Sequence, residues 1–289
     1  MDALVDFLSS TLRLATPLIF AAMGGLLSER SGIVNIALEG KMLVGAFFGA
    51  AVAHFTGSPW LGLLAGGGAG ALVGFLYGWL AVPLKSDQIV AGTGINMLAY
   101  GIPPFVAKIL FDVTGSTPAL GIDERFHVAP LFLSLGVAVL LWLWLRHSRS
   151  GLWLMFAGEH PAALAAAGIR VARLRWQAVV AAGLLAGIGG ATLSTFLSSS
   201  YSRNMTSGRG FIALAALILG KWRPIPAVLA CLLFGMTDAA QIRLQGIEVA
   251  GLGKVPVQFI QILPYLVTLV VLAGFVGRAR APSALGRGE

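Results

Sequence analysis

Charged residues are scarce in this chain. Asp, Glu, Lys and Arg make up 11% of its 289 residues, whereas a soluble globular domain averages about 25%. So few charges cannot cover a water-facing surface, and the apolar residues, at 57%, need lipid as their solvent. The composition therefore excludes a soluble protein and indicates an integral membrane protein.

Several reactive chemistries are missing as well. The single cysteine, Cys231, lies in an apolar run and cannot form an internal disulfide, so we expect it to be a packing residue. The sequence contains no GxxxxGK[ST], HExxH, CxxC or GxSxG motif. Its four histidines lack the spacing of metal ligands. We therefore expect no metal or cofactor on this chain, and we find no paired catalytic groups for an intramembrane enzyme.

Apolar stretches long enough to span a bilayer core, about 20 residues for about 30 Å, recur along the whole chain. The stretch at 210–221 is short, which favours a tilted or re-entrant helix. The sequence predicts an all-α polytopic membrane protein with one transmembrane domain, 1–289, and about 8–10 transmembrane helices. The candidate spans are 11–27, 33–54, 60–82, 89–110, 129–145, 176–198, 210–221, 224–241 and 256–276.

The net charge of +8 comes from basic residues in short loops between the apolar runs, so membrane topology explains it better than nucleic-acid binding. We place the loop 146–175 and the tail 277–289 in the cytoplasm. Twelve Lys and Arg residues then lie inside and seven outside. This bias favours an external N-terminus.

The loop 146–175 is the largest predicted cytoplasmic segment. Pro161 can begin a helix, because its missing N–H is no loss in the first turn. The alanines that follow favour helix formation, and Gly168 stands where a C-terminal glycine cap belongs. We predict a short helix at about 159–167.

The second candidate span contains Asn35, Glu39 and Lys41 at membrane depth, where ionisable groups are costly. Asn35 and Glu39 are four residues apart and would share one helix face. These two side chains could form a polar wall of a substrate pathway. Alternatively, Glu39 could anchor a neighbouring helix end or pair with a basic residue such as Arg30.

Three further polar residues are candidates for the same pathway. Gln88 and Asn96 lie where the fourth span begins, among glycines that weaken the helix. Asn96 could bind a polar solute or make a helix-to-helix hydrogen bond. Asn204 belongs to the polar loop 201–210, which could be a gate, a docking site or an ordinary turn.

The third span carries glycines at a spacing of four residues, which form a flat ridge on one helix. Such a ridge allows tight packing inside the chain, or it forms an interface between subunits. The five positions are Gly62, Gly66, Gly70, Gly74 and Gly78.

Four motifs of this sequence resemble the permease subunits of bacterial ABC importers, in the branch for simple sugars and nucleosides. That branch is related to the ribose and branched-chain amino acid permeases, and the resemblance runs from about residue 12 to the end of the chain. The four motifs are SERSGIVNIALEG at 28–40, SDQIVAG at 86–92, GRGFIALA at 208–215 and LPY at 263–265.

The family's cytoplasmic coupling helix has a pattern close to NPEAAxxxGI, which here reads HPAALAAAGI at 160–169. The usual glutamate is missing at Ala162, and Glu159 lies out of register. The resemblance implies an ATPase contact at this helix. The implied contact residues are Glu159, Pro161, Ala163 and Gly168.

The resemblance also implies partners for this chain. They are a separate ABC ATPase subunit that binds the ATP, a second and different permease, and an external solute-binding lipoprotein, around a multi-pass chain in the lipid of the bacterial inner membrane. An uncharged, hydroxyl-rich solute, a nucleoside or a sugar, suits a pathway with few fixed charges. The alternative is a self-sufficient secondary transporter that uses Glu39 for ion coupling.

Overall fold

The computed structural model describes residues 2–245, 248–249, 253–254, 262, 266–267, 270 and 280–287. Most of the predicted span 256–276, including the Leu-Pro-Tyr motif, lies outside the described residues. A π-helical turn, Leu193–Leu197, extends α8, and the two-residue strands β1 (Glu248–Val249) and β2 (Gly253–Lys254) pair antiparallel. The helices are α1 Asp2–Arg30, α2 Leu38–Thr56, α3 Pro59–Ala81, α4 Gln88–Phe111, α5 Ala129–His147, α6 Arg149–Glu159, α7 Pro161–Ala166, α8 Val171–Thr192, α9 Arg209–Leu219 and α10 Pro224–Leu244.

Seven of the described helices are long and apolar enough to cross a membrane, namely α1 to α5, α8 and α10. This confirms the all-α polytopic class, and α3 lies within one residue of its predicted span. α9 has 11 residues, which extend about 16 Å at the usual rise and cover about half of a bilayer core. The prediction that 210–221 does not cross as a simple span is therefore confirmed.

The predicted start of the second span at residue 33 is wrong, because the non-helical residues 31–37 join α1 to α2. α1 ends in a Schellman motif around Gly32, which has a φ of +97°. The N–H of Gly32 donates to the carbonyl of Glu29 at 3.0 Å, and that of Ile33 donates to the carbonyl of Ser28 at 3.1 Å. Hydropathy does not detect this break, since the residues that follow Gly32 are largely apolar.

The glycine ridge of α3 packs against α2 and α8. A Cβ placed on Gly66 would lie 2.7 Å from the carbonyl oxygen of Gly45 on α2. A Cβ on Gly70 would collide with the carbonyl of Gly183 on α8, where Gly187 also faces the ridge. The ridge thus serves close packing inside the chain, the first of its two predicted roles.

The loops form two groups at opposite ends of the bundle. At one end, the loop 112–128 pairs with the loop 198–208. There the backbone N–H of Tyr201 donates a hydrogen bond to Oγ1 of Thr117 at 3.0 Å. At the other end, the C-terminal segment 280–287 contacts the 31–37 connection and the end of α6. Loops that were predicted to share one side of the membrane are thus grouped at one end of the bundle.

Candidate functional site

Neighbouring helices provide hydrogen-bond partners for the backbone of the 31–37 connection. At the start of α4, Gln88 Oε1 accepts a hydrogen bond from the N–H of Val34 at 2.8 Å. The hydroxyl of Tyr77 on α3 donates to the carbonyls of Val34 and Gln88, and Nδ2 of Asn96 donates to the carbonyl of Ile36 at 3.0 Å. Non-helical backbone at membrane depth is tolerated when it is buried in protein in this way.

The start of α2 is capped by a side chain of α4. The N-cap residue of α2, Ala37, has no side-chain acceptor, so Asn96 Oδ1 accepts the N–H of Gly40 at 2.8 Å instead. Asn96 lies about 12 Å along the helix axis from Gln88, the first residue of α4. α2 therefore begins about two helical turns further into the bundle than α4 does.

Glu39 joins the starts of α2 and α9. Its side chain is fully buried, and its two carboxylate oxygens accept the N–H groups of Gly208 at 2.8 Å and Gly210 at 2.7 Å. Gly208 is the N-cap of α9, so Glu39 supplies the acceptor that a glycine cannot. Position 210 has to be glycine, because a Cβ there would lie 2.5 Å from the Glu39 backbone.

Glu39 also lies in the first turn of α2 itself. Its negative charge therefore faces the positive ends of two helices at once, which stabilises a carboxylate inside the bilayer. This contact confirms the interpretation that Glu39 anchors a neighbouring helix end. Arg30, the alternative partner, instead lies 3.8 Å from Glu159.

The prediction that Asn35 and Glu39 share a helix face is wrong, because Asn35 precedes α2. Oδ1 of Asn35 accepts a hydrogen bond from Nζ of Lys41 at 2.6 Å, and that ammonium lies 4.5 Å from the ring centroid of Tyr77. Asn35 and Lys41 are fully buried. Together they fix the 31–37 connection from its inner side.

Asn204 lies apart from the other four predicted pathway residues. It is exposed in the 198–208 loop with a φ of +58°, and its carbonyl accepts hydrogen bonds from the N–H and hydroxyl of Ser207. The other four lie around the 31–37 connection and the start of α2, and of these only Glu39 also contacts the start of α9. There they hold the backbone and neighbouring side chains of this chain.

The exposed side of α4 is mostly apolar, with Met97, Leu98 and Phe105 among its residues, but it also carries two polar side chains and two glycines. Thr93 and Tyr100 are both exposed and lie two turns apart on one face. Gly94 and Gly101 repeat the same spacing, and a Cβ on either would meet nothing within 4 Å. By contrast, the exposed residues of α5 between 130 and 145 are Phe, Leu, Val and Gly. The sequence analysis did not identify this face, although Thr93 and Tyr100, like Gly94 and Gly101, are seven residues apart in the sequence.

The segment 146–175 folds into α6 and α7 before α8 begins, where a single short helix was predicted. Pro161 opens α7 and Gly168 follows it with a φ of +77°, so both expected helix signals are confirmed. Leu164 is buried, whereas Ala163 and Gly168 are exposed. α7 is therefore held by one apolar side chain and presents small residues outward.

Glu159 occupies the corner between α6 and α7. One carboxylate oxygen lies 3.8 Å from Nη1 of Arg30, and the other accepts the N–H of Ser283 at 3.2 Å. The Ser283 hydroxyl also donates to the Glu159 carbonyl. Glu159 thus connects this corner to α1 and to the C-terminal segment.

The C-terminal segment 280–287 connects α6 to the 31–37 connection. The N–H of Ala284 donates to the carbonyl of Gly158 at 2.8 Å, and the N–H of Gly286 donates to the carbonyl of Gly32 at 3.0 Å. A displacement of α6 and α7 would therefore be passed to the segment that precedes α2.

Comparisons with known proteins agree with this architecture. A family model described as the permease component of branched-chain amino acid transport systems matches residues 7–272. The nucleoside ABC transporter permease protein NupC of Lactococcus lactis is 38% identical, over 99% of this chain and 97% of its own length. The guanosine ABC transporter permease protein NupQ of Bacillus subtilis is 36% identical, over 96% of this chain and 94% of its own length. A chain from a metal-chelate type ABC transporter in an inward-facing conformation shares the fold, with a TM-score of 0.52, 18% identity and coverage of 92% and 85%.

Proposed function

Because this chain belongs to the family of permease components of branched-chain amino acid transport systems, we propose that it is the membrane-spanning subunit of an ATP-driven importer of nucleosides. The observation that carries the proposal is its identity of 38% and 36%, over nearly its whole length, to permeases named for nucleosides and guanosine. In this proposal the chain supplies the path, and a separate ATPase chain binds and hydrolyses ATP.

The outward face of α4 supports an uncharged solute. No charged residue occurs between Gln88 and Lys108, so a pathway along this face would carry no fixed charge. Thr93 offers a hydroxyl, and the ring of Tyr100 can stack on a nucleobase, a contact worth about 1–3 kcal/mol in nucleic-acid-binding proteins. Gly94 and Gly101 leave room for a solute or a second permease to approach the backbone.

The buried polar residues then have a supporting role. Asn96 and Glu39 hold the starts of α2 and α9, and the positive ends of both helices face the Glu39 carboxylate. A pathway between this chain and a second, different permease would open and close by rocking of these rigid parts. Ion coupling at Glu39 is disfavoured, because both carboxylate oxygens already accept backbone hydrogen bonds.

α7 would transmit the movement of the ATPase. Its exposed small residues suit insertion into a cleft, and the C-terminal segment ties its neighbour α6 to the 31–37 connection. A cysteine introduced as Ala163→Cys, with Cys231 replaced by Ser, should crosslink to the ATPase. Ile122→Cys is the matched control, since Ile122 is 75% exposed in the opposite loop group. Equal crosslinking of both variants would contradict the assignment of α7.

The substrate class is tested with the assembled transporter in liposomes. We expect ATP-dependent uptake of guanosine, with glucose neither taken up nor competing. Tyr100→Leu should lower guanosine uptake about tenfold, if stacking contributes about 1.4 kcal/mol. Leu140→Ile on the exposed side of α5 should leave it unchanged. Uptake of glucose in place of guanosine would overturn the nucleoside assignment.

A further inference from the structure

A concave pocket lies at the predicted cytoplasmic end, away from the contact of Glu39 with the start of α9. It has a volume of about 440 Å³ and lies between the ends of α1 and α5, α6, and the start of α10. Three arginines from three separate parts of the chain converge on it. They are Arg30 at the end of α1, Arg146 at the end of α5 and Arg223 just before α10.

The charges in this pocket are only partly balanced. Arg30 donates from Nε to the carbonyl of Trp222 at 2.7 Å and lies 3.8 Å from a carboxylate oxygen of Glu159. The guanidinium of Arg146 lies 5.6 Å from the ring centroid of Trp142, and the side chain of Arg223 is exposed. A second carboxylate, that of the buried Glu29, accepts a hydrogen bond from Nε1 of the lining residue Trp222 at 2.6 Å. Three cations against these two carboxylates leave a net positive pocket that suits an anion.

The rest of the lining is apolar and leads towards the bilayer. Leu145, Met155 and Ile225 line the pocket, and Ile225 is 41% exposed. One turn further along α10, Leu229 is 62% exposed, so an apolar surface continues from the pocket along the helix. Tryptophans beside basic residues are typical of the level where lipid headgroups meet the hydrocarbon core.

We propose that this pocket binds an anionic phospholipid of the cytoplasmic leaflet. Its headgroup phosphate lies between Arg146 and Arg223, and its acyl chain lies along the exposed side of α10. Basic pockets between transmembrane helices on this side of a membrane suit such headgroups. The apolar surface next to the cationic groups favours a lipid over free phosphate, because free phosphate has no apolar part to bind there.

The test uses the purified transporter in nanodiscs of phosphatidylcholine with increasing amounts of phosphatidylglycerol, and counts retained lipids by native mass spectrometry. The double variant Arg146→Gln/Arg223→Gln removes two of the three cations and keeps Arg30. We expect its apparent affinity for phosphatidylglycerol to fall about 25-fold, about fivefold for each charge. The matched control, Arg149→Gln/Arg173→Gln, removes two exposed arginines from the same end outside this pocket and should stay within about twofold.

Several results would overturn the proposal. One is an equal loss of phosphatidylglycerol in both double variants, or no loss in either. Another is displacement of the lipid by millimolar inorganic phosphate, which would identify a simple anion site. A third is retention of lipid with loss of the ATPase from the complex, which would identify the pocket as a protein docking site.

Discussion

Glu39 offers the sharpest test of how the starts of α2 and α9 are held together. Its carboxylate accepts two backbone hydrogen bonds from the start of α9, at 2.8 and 2.7 Å, in a fully buried setting. Hydrogen bonds to a charged group contribute about 1.5–3 kcal/mol each. Glu39→Ala removes both acceptors and should lower the free energy of unfolding by about 4 kcal/mol. Glu39→Gln keeps one acceptor and should cost about 2 kcal/mol.

Thermal unfolding of the purified protein in detergent measures this effect by circular dichroism. About 2–4 °C per kcal/mol applies to a chain of this size. Glu39→Ala should therefore lower the midpoint by about 8–16 °C and Glu39→Gln by about 4–8 °C. The matched control is Glu124→Gln, since Glu124 accepts the N–H of Gly121 at 2.9 Å in an exposed loop. Its midpoint should change by less than about 3 °C.

A Glu39→Ala protein as stable as the unchanged chain would refute the cross-capping of α9. An equal loss of stability in Glu124→Gln would refute it too, because burial would then have no influence. A third contradiction would be a lower unfolding midpoint for Glu39→Gln than for Glu39→Ala.

Three further predictions concern other contacts of the fold. Asn96→Ala loses the bonds to the 31–37 connection and to α2 and should lower the free energy of unfolding by about 2–3 kcal/mol. Asn204→Gly in the exposed loop, which accepts the φ of +58° without strain, should be neutral in the same thermal assay. Gly70→Ala puts a methyl group against the backbone of α8 and should cost about 2–3 kcal/mol, whereas Gly68→Ala on the same helix meets open space and should cost nothing measurable. Deleting 280–289 should abolish uptake while the ATPase still co-purifies and hydrolyses ATP. Deletion of 288–289 alone is the control. Retained uptake after the longer deletion would contradict the link through the C-terminal segment.

Hydropathy was sufficient to predict most of the membrane-spanning helices. α3 and α4 each begin and end within one residue of the predicted spans, because an apolar run of about 20 residues has one stable form in lipid. The short helix α7 was also predictable, since Pro161 and Gly168 mark its ends locally.

The arrangement of the site was not predictable from local sequence. Residues 33–37 have helix-like hydropathy, and they stay non-helical because Gln88, Asn96 and Tyr77 bind their backbone from two other helices. The contact of Glu39 with Gly208 joins residues 169 positions apart, and no local spacing indicates such a pair. A polar residue in an apolar run, such as Glu39 or Asn96, is recognisable from its type alone. Its type does not show whether the side chain contacts a solute or the backbone of another helix.

The identification of this chain as the path of an ATP-driven importer can be tested most directly by uptake in proteoliposomes. Transporter containing the ATPase should accumulate radiolabelled guanosine when ATP is supplied on the ATPase side. Uptake should stop when the ATPase subunit is omitted or cannot hydrolyse ATP. Guanosine accumulation by this chain without the ATPase, driven by a proton or sodium gradient, would contradict the account.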